Sequence, residues 1–171
     1  MNGIIFVFGN RQSVSLFLIL VNLGIIFCVG LAVGLSKKKK AEAGFTSVLV
    51  FLVFLNAMNI FLTLTNKLVP ADALRGSGQT MVLGVQVLDM GVFLGIILGI
   101  VVAYILNRFC EREFDGALQI YGGSRLVFII LIPVTVGLAV LFSYVWPSVQ
   151  YLISSLGSFI TDAGNIGVFM Y

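Results

Sequence analysis

The chain has 171 residues, of which 60% are hydrophobic and 10% charged, with a mean hydropathy of +1.13 and a formal net charge of +3. Soluble domains carry about 25% charged residues, so too little polar surface is available to coat a water-soluble globule, and lipid must be the solvent. The lack of histidine removes the commonest general base and the commonest metal ligand, and no basic face with interleaved aromatics suits nucleic acid.

The start, Met1 to Gln12, has neither a basic n-region nor a small-residue cleavage site, so it does not read as a signal peptide. The first long apolar run is Ser13 to Leu35, with Asn22 inside it. Twenty-three residues of helix reach about 34 Å, enough to cross the hydrocarbon core with some tilt. Ser36 and the run Lys37, Lys38, Lys39, Lys40 stop it. The second run, Phe45 to Thr65, holds Asn56 and Asn59 and ends at Lys67 and Pro70.

A polar connection, Asn66 to Thr80, leads to a third predicted helix from about Gly84 to Leu106, cleanly apolar after Asp89. A second basic loop, Asn107 to Arg125, follows, and then a fourth helix, Leu126 to Trp146, closed by Trp146-Pro147. Beyond it, Val149, Leu152, Ile153, Leu156 and Ile160 recur at helical spacing opposite Gln150, Ser154, Ser155, Ser158 and Asp162. That pattern predicts a helix lying in the interface or packed on a partner. From Gly164 the chain turns apolar again, as at the opening of another span. The expected class is an all-α polytopic membrane bundle of about four transmembrane helices, plus the amphipathic helix and the start of a further span.

Basic residues set the expected orientation. Placing the lysine run and the Asn107–Arg125 loop in the cytoplasm puts seven of ten Lys and Arg inside, among them Arg108, Arg112 and Arg125. Arg11, Lys67 and Arg75 then lie outside, and the first helix runs from out to in. Such basic runs set topology or meet anionic lipid.

Gly91, Gly95 and Gly99 form a small-residue ridge at four-residue spacing, and Gly30 and Gly34 a shorter one. Ridges of this kind let helices approach closely, within one chain or between subunits, and packing within the chain is the favoured reading. Asp89 is the acid nearest the membrane interior; intramembrane acids are functional by default. At a helix start, however, a carboxylate also favours the positive end of the helix dipole, and the structural role is preferred. Asn56 and Asn59 suit either contact with a solute or hydrogen bonds between helices. Cys28 and Cys110 read as a packed residue and a free thiol.

Glu111, Glu113 and Asp115 alternate with arginines, as on a solvated face. The sequence shows no Gly-rich phosphate loop, Ser-His-Asp set or metal-ligand spacing, so no active site, cofactor or metal is implied.

Several ordered strings resemble a known family. Asn22-Leu23, Ile26-Phe27 and Val29-Gly30-Leu31-Ala32-Val33-Gly34-Leu35 before the lysines are similar to its N-L-P-hydrophobic-F-A-V-G-x-A-x-G-L-A-K-K stretch. Leu88-Asp89-Met90-Gly91-Val92-Phe93-Leu94-Gly95-Ile96-Ile97 resembles L-D-T-G-V-F-G-G-I-I. Tyr104 with Asn107-Arg108-Phe109 resembles Y-x-x-N-R-F, and Gly122-Gly123-Ser124-Arg125-Leu126-Val127 with Ile129-Ile130 resembles G-G-K-R-F-V-P-I-I. Trp146-Pro147 with Gln150 is similar to W-P-x-x-Q.

The family is the membrane sugar permease, enzyme IIC, of the bacterial phosphoenolpyruvate:sugar phosphotransferase system, in its glucose, maltose, α-glucoside and N-acetylglucosamine branch. The resemblance implies a bacterial cell-membrane transporter that works as a homodimer and presents sugar to a phosphorylated IIB partner domain. It further implies a scaffold half carrying the dimer interface and a mobile transport half holding the sugar through G-L-H-H and G-I-T-E-P strings. Neither string occurs here. Residues 1–171 are therefore expected to be most of the scaffold half, inactive alone, with no sugar-binding residue assigned. The second reading is an autonomous small membrane scaffold without transport activity. A channel or holin-like pore fits composition alone and leaves the ordered strings unexplained.

Overall fold

The computed structural model describes residues 19, 22–70, 77–109 and 124–169, with side chains at all of these except 124 and 157–169. It contains four helices and one hairpin. Helix α1 is Leu23–Leu35, α2 is Lys40–Leu64, β1 is Gln79–Val82, β2 is Val85–Leu88, α3 is Gly91–Phe109 and α4 is Ser124–Phe169. The class is the expected all-α membrane bundle, and α2, α3 and the segment Arg125–Leu156 of α4 are long and apolar enough to cross a membrane.

The first span differs from expectation. Asn22 stands ahead of α1 at φ −98° and ψ 16°, outside helical geometry. Asparagine suits such a boundary, because its amide competes for local backbone groups. The 13 residues of α1 reach about 20 Å, less than the ~30 Å hydrocarbon core. The expected beginning of that span lies outside the described residues, Ile19 excepted.

Helix α2 starts five residues before the predicted Phe45. Lys39 adopts the left-handed conformation (φ 53°, ψ 46°), which completes the reversal from α1, and Lys40 is already helical. Lys40, Ala41, Glu42 and Ala43 are good helix formers, and Glu42 meets the positive end of the helix dipole. At the other end Asn66 is left-handed (φ 53°). The Lys67 amide donates to the Leu62 carbonyl (3.0 Å) and the Asn66 amide to that of Thr63 (3.1 Å). These two bonds are the Schellman closure, which satisfies carbonyls otherwise left bare at a helix end.

The hairpin was not predicted. Strands β1 and β2 pair antiparallel with Gln79 opposite Leu88 and Val82 opposite Val85. Leu83 (φ 50°) and Gly84 (φ 79°) form the two-residue turn, both at the positive φ that a type I′ turn requires. The third helix therefore begins at Gly91 instead of Gly84. Val82, Val85 and Val87 favour strand geometry through their branched Cβ.

Helix α4 also departs from expectation. It does not end at Trp146-Pro147 but continues through Pro133 and Pro147 to Phe169, a length of 46 residues, or about 69 Å. The expected interfacial helix is thus an extension of the fourth span, and Tyr151, Leu152, Ile153 and Leu156 on it are exposed. Each proline removes one helical amide, from the Ile129 and Ser143 carbonyls respectively. The predicted opening of a further span after Gly164 falls within the helical backbone as far as Phe169.

The helices alternate in direction, so α1 and α3 are parallel, as are α2 and α4. Gly24 and Cys28 of α1 meet Gly95 and Gly99 of α3 in the same order along both chains. Ring contacts Phe45–Phe128, Phe54–Phe142 and Phe61–Tyr144, with centroids 5.6–6.3 Å apart, do the same for α2 and α4. Helices α2 and α3 touch each other and both outer helices, so α1 and α4 lie on opposite sides of that central pair.

Core positions follow helical periodicity. Ala43, Thr46, Ser47, Val50, Phe51, Phe54, Leu55, Met58 and Leu62 make one face of α2. On α4 the buried row Val127, Leu131, Thr135, Ala139 and Ser143 repeats every four residues. Thr135 and Ser143 donate to the Leu131 and Ala139 carbonyls (2.6 and 2.7 Å), so their hydroxyls are satisfied within their own helix.

Candidate functional site

At one end of the bundle, Asn107 on α3 joins two helices. Its Nδ2 donates to the Leu35 carbonyl (2.9 Å), and its Oδ1 accepts from the Lys37 amide (2.9 Å). One side chain thereby satisfies an orphan carbonyl at the end of α1 and the amide that starts the turn. Ser36 closes the same end through its Oγ and amide, both donating to the Ala32 carbonyl (2.6 and 3.2 Å). The geometry places Lys37, Lys38, Lys39 and Lys40 beside Arg108, the residue after Asn107. Arg125 is at this end too, because Phe45 and Phe128 meet one turn inside α2 and α4. The topology-setting residues predicted from sequence are thus gathered at one end; Arg112 lies outside the described residues, as do Cys110, Glu111, Glu113 and Asp115.

The opposite end is tied by main-chain groups around Asp89. Its amide donates to the Gly78 carbonyl (2.9 Å). Its carbonyl accepts from Trp146 Nε1 (2.8 Å) and Gln150 Nε2 (3.2 Å), and Gln150 Nε2 also donates to the Gly78 carbonyl (2.8 Å). The W-P-x-x-Q residues therefore dock α4 onto the hairpin. Glycine suits position 78 because of its positive φ (73°), and a Cβ there would also push on the Gln150 side-chain amide. Asn59 Nδ2 donates to the Gln86 carbonyl (2.8 Å), tying α2 to β2, whereas Asn56 Nδ2 donates within its own helix to the Leu52 carbonyl (2.9 Å). Gln79 and Gln86 bond each other (2.8 Å) and reach the Lys67 and Val69 carbonyls (2.7 Å each). Lys67 stacks over the Tyr144 ring at 5.2 Å.

The two glycine ridges have different fates. A methyl at Gly95 would overlap the Gly24 carbonyl oxygen, and one at Gly99 would lie 2.9 Å from the Cys28 carbonyl oxygen. Gly91 brings no close side-chain approach; instead its positive φ (50°) starts α3, and its carbonyl lies 3.1 Å from where a Gly24 Cβ would be. Gly30 and Gly34 have nothing within 4 Å of a built Cβ and are exposed. Within this chain the close backbone approach is at Gly95 and Gly99, and there is none at Gly30 and Gly34 among the described residues. Cys28 is fully buried, with Sγ 3.7 Å from the Ser47 carbonyl.

A cleft of about 230 Å³ lies between the start of α1, the hairpin and the start of α3, bordered by Asn22, Phe51, Thr80, Leu88, Asp89 and Gly91. Asp89 is exposed at its rim, two residues before α3. Among the described residues, no three metal-ligating side chains converge and no buried side-chain nitrogen or oxygen lacks a partner. What the polar residues do is join elements; Asn107, Trp146 and Gln150 were legible in the sequence only as parts of family strings.

These features define an all-α membrane helix bundle whose polar side chains serve as joints. The profile of the family described as "Phosphotransferase system, EIIC" matches residues 16–171, and the chain belongs to that family. It is 30% identical over 151 residues to the maltose-specific EIICB component of Bacillus subtilis, covering 86% of this chain and 29% of that protein. With the phosphotransferase IIC component GlvC of Escherichia coli the identity is 34% over 154 residues, or 88% and 42% of the two chains. With the glucosamine-specific EIICBA component of Bacillus subtilis it is 35% over 150 residues, or 88% and 22%. The chain thus spans less than half the length of these relatives.

Proposed function

We propose that residues 1–171 form the scaffold part of a sugar permease of the phosphotransferase system. In this reading the bundle holds position in the membrane while a transport half, supplied by other residues, carries sugar to the face where a phosphorylated IIB domain modifies it. The observation that carries the proposal is that the matched strings form joints: Asn107 closes α1, and Trp146 and Gln150 fasten α4 to the Asp89 carbonyl. Asp89, two residues before α3, serves the start of that helix and the hairpin joint, not chemistry. The relatives' names, maltose, α-glucoside and glucosamine, point to a sugar built on glucose. EIICB fusions among them support the IIB domain as partner.

The basic end, with Lys37–Lys40 and Arg108, faces the cytoplasm by the positive-inside rule. Exposed Gly30 and Gly34 suit a contact with a second copy in a homodimer. Phosphoenolpyruvate-dependent sugar phosphorylation in membranes, with the general phosphotransfer proteins and a IIB domain added, tests the proposal. Phosphorylation is expected only when a relative's transport half is co-expressed. Phosphorylation by membranes holding this chain alone contradicts it and makes the bundle a complete permease.

A further inference from the structure

We propose that the basic end of the bundle holds the headgroup of an anionic phospholipid, with Lys37, Lys40 and Arg108 as its contacts. Of the acidic side chains described, Glu42 is at this end and Asp89 at the other, while Lys37, Lys38, Lys39, Lys40, Arg108 and Arg125 are all here and exposed. Glu42 already pairs with Lys39 at 3.6 Å. The cluster is therefore strongly one-signed among the described residues.

Its depth decides the class of partner. Only Ser36 to Lys39 separate α1 from α2. Leu35 is 49% exposed and Phe45 63% exposed, so apolar side chains open to lipid lie within about a turn and a half of the basic positions on either side. A loop this short cannot lift its charges away from the membrane; lysine stems run along the apolar surface and leave the amines at phosphate level. Asn107 fixes the Lys37 main chain to α3, so the Lys37 and Arg108 positions are held together without a ligand. Basic side chains gathered at helix ends, at headgroup depth, attract acidic lipid heads.

The test uses the full chain purified in a neutral detergent, which removes any effect of the lysines on orientation. Retention of added phosphatidylglycerol or phosphatidylcholine is measured by native mass spectrometry, together with the thermal shift each lipid produces. Phosphatidylglycerol is expected to bind at least about tenfold more tightly, and neutralising three contacts should remove that preference. The variant Lys37→Gln/Lys40→Gln/Arg108→Gln should lose it with unchanged helix content, whereas Lys37→Arg/Lys40→Arg keeps it. Inorganic phosphate at matched concentration should not compete. Equal retention of both lipids, a preference unchanged in the neutral variant, or full competition by inorganic phosphate overturns the proposal. So does a triple variant that keeps its lipid preference but loses binding to a soluble IIB domain.

Discussion

Asn107, Trp146 and Gln150 are polar residues at the ends of apolar helices, and each reaches a main-chain group 57 to 72 residues away. Sequence periodicity carries no information at that separation, so their partners were not legible even though the residues stood in recognisable strings. The glycines were half legible. Four-residue spacing marks a ridge, but only the backbone approach of Gly24 and Cys28 shows that Gly95 and Gly99 are the filled positions. Replacing Gly95 with Leu drives a side chain into the Gly24 backbone. Overpacking of this kind costs about 1–3 kcal/mol or more. Thermal unfolding in detergent should show a clear loss for Gly95→Leu and none for Gly137→Ala on α4, whose added methyl meets no atom. A Gly95→Leu protein as stable as the parent would remove the α1–α3 contact from the account.

At the scale of elements, the helices were read from apolar runs, and their boundaries shifted where local chemistry decided. Lys40 to Gly44 extend α2 ahead of the apolar run that begins at Phe45, because nothing in Lys-Ala-Glu-Ala stops a helix. The hairpin was hidden by composition: Met81, Val82, Val85 and Val87 are as apolar as the span that follows, and strands of four residues give periodicity little to work with. In α4, Pro147 marked an end that the fold does not take, since neighbouring turns hold the helix across it. The hairpin's docking onto α4 rests on Trp146 and Gln150. Gln150→Ala removes the bonds to Gly78 and Asp89 and should cost about 1 kcal/mol. Hydrogen exchange at the Asp89 amide, bonded to Gly78, is then expected to quicken while exchange in the middle of α2 stays slow. Unaltered exchange at Asp89 would mean that Gln150 is not a joint.

At the scale of the whole molecule, the sequence supplied class and alternation of direction but not which face of each helix is buried. Helix α2 is apolar all round, so the row from Ala43 to Leu62 emerges only from packing against α3 and α4. Both basic segments at one end were foreseeable from charge, and the Asn107 bridge fixes them there. Cysteine introduced at Lys38 and at Lys67 should react with membrane-impermeant thiol reagents from opposite sides of oriented vesicles, Lys38→Cys from the cytoplasmic side. Labelling of both from one side would break the four-helix alternation.

The scaffold assignment makes one demand of the molecule above all others: these residues bind no sugar by themselves. Equilibrium binding of labelled maltose and N-acetylglucosamine to the purified chain, held folded in detergent, measures this directly. The account predicts uptake that rises linearly with concentration, as in protein-free micelles; saturable binding of either sugar would contradict it.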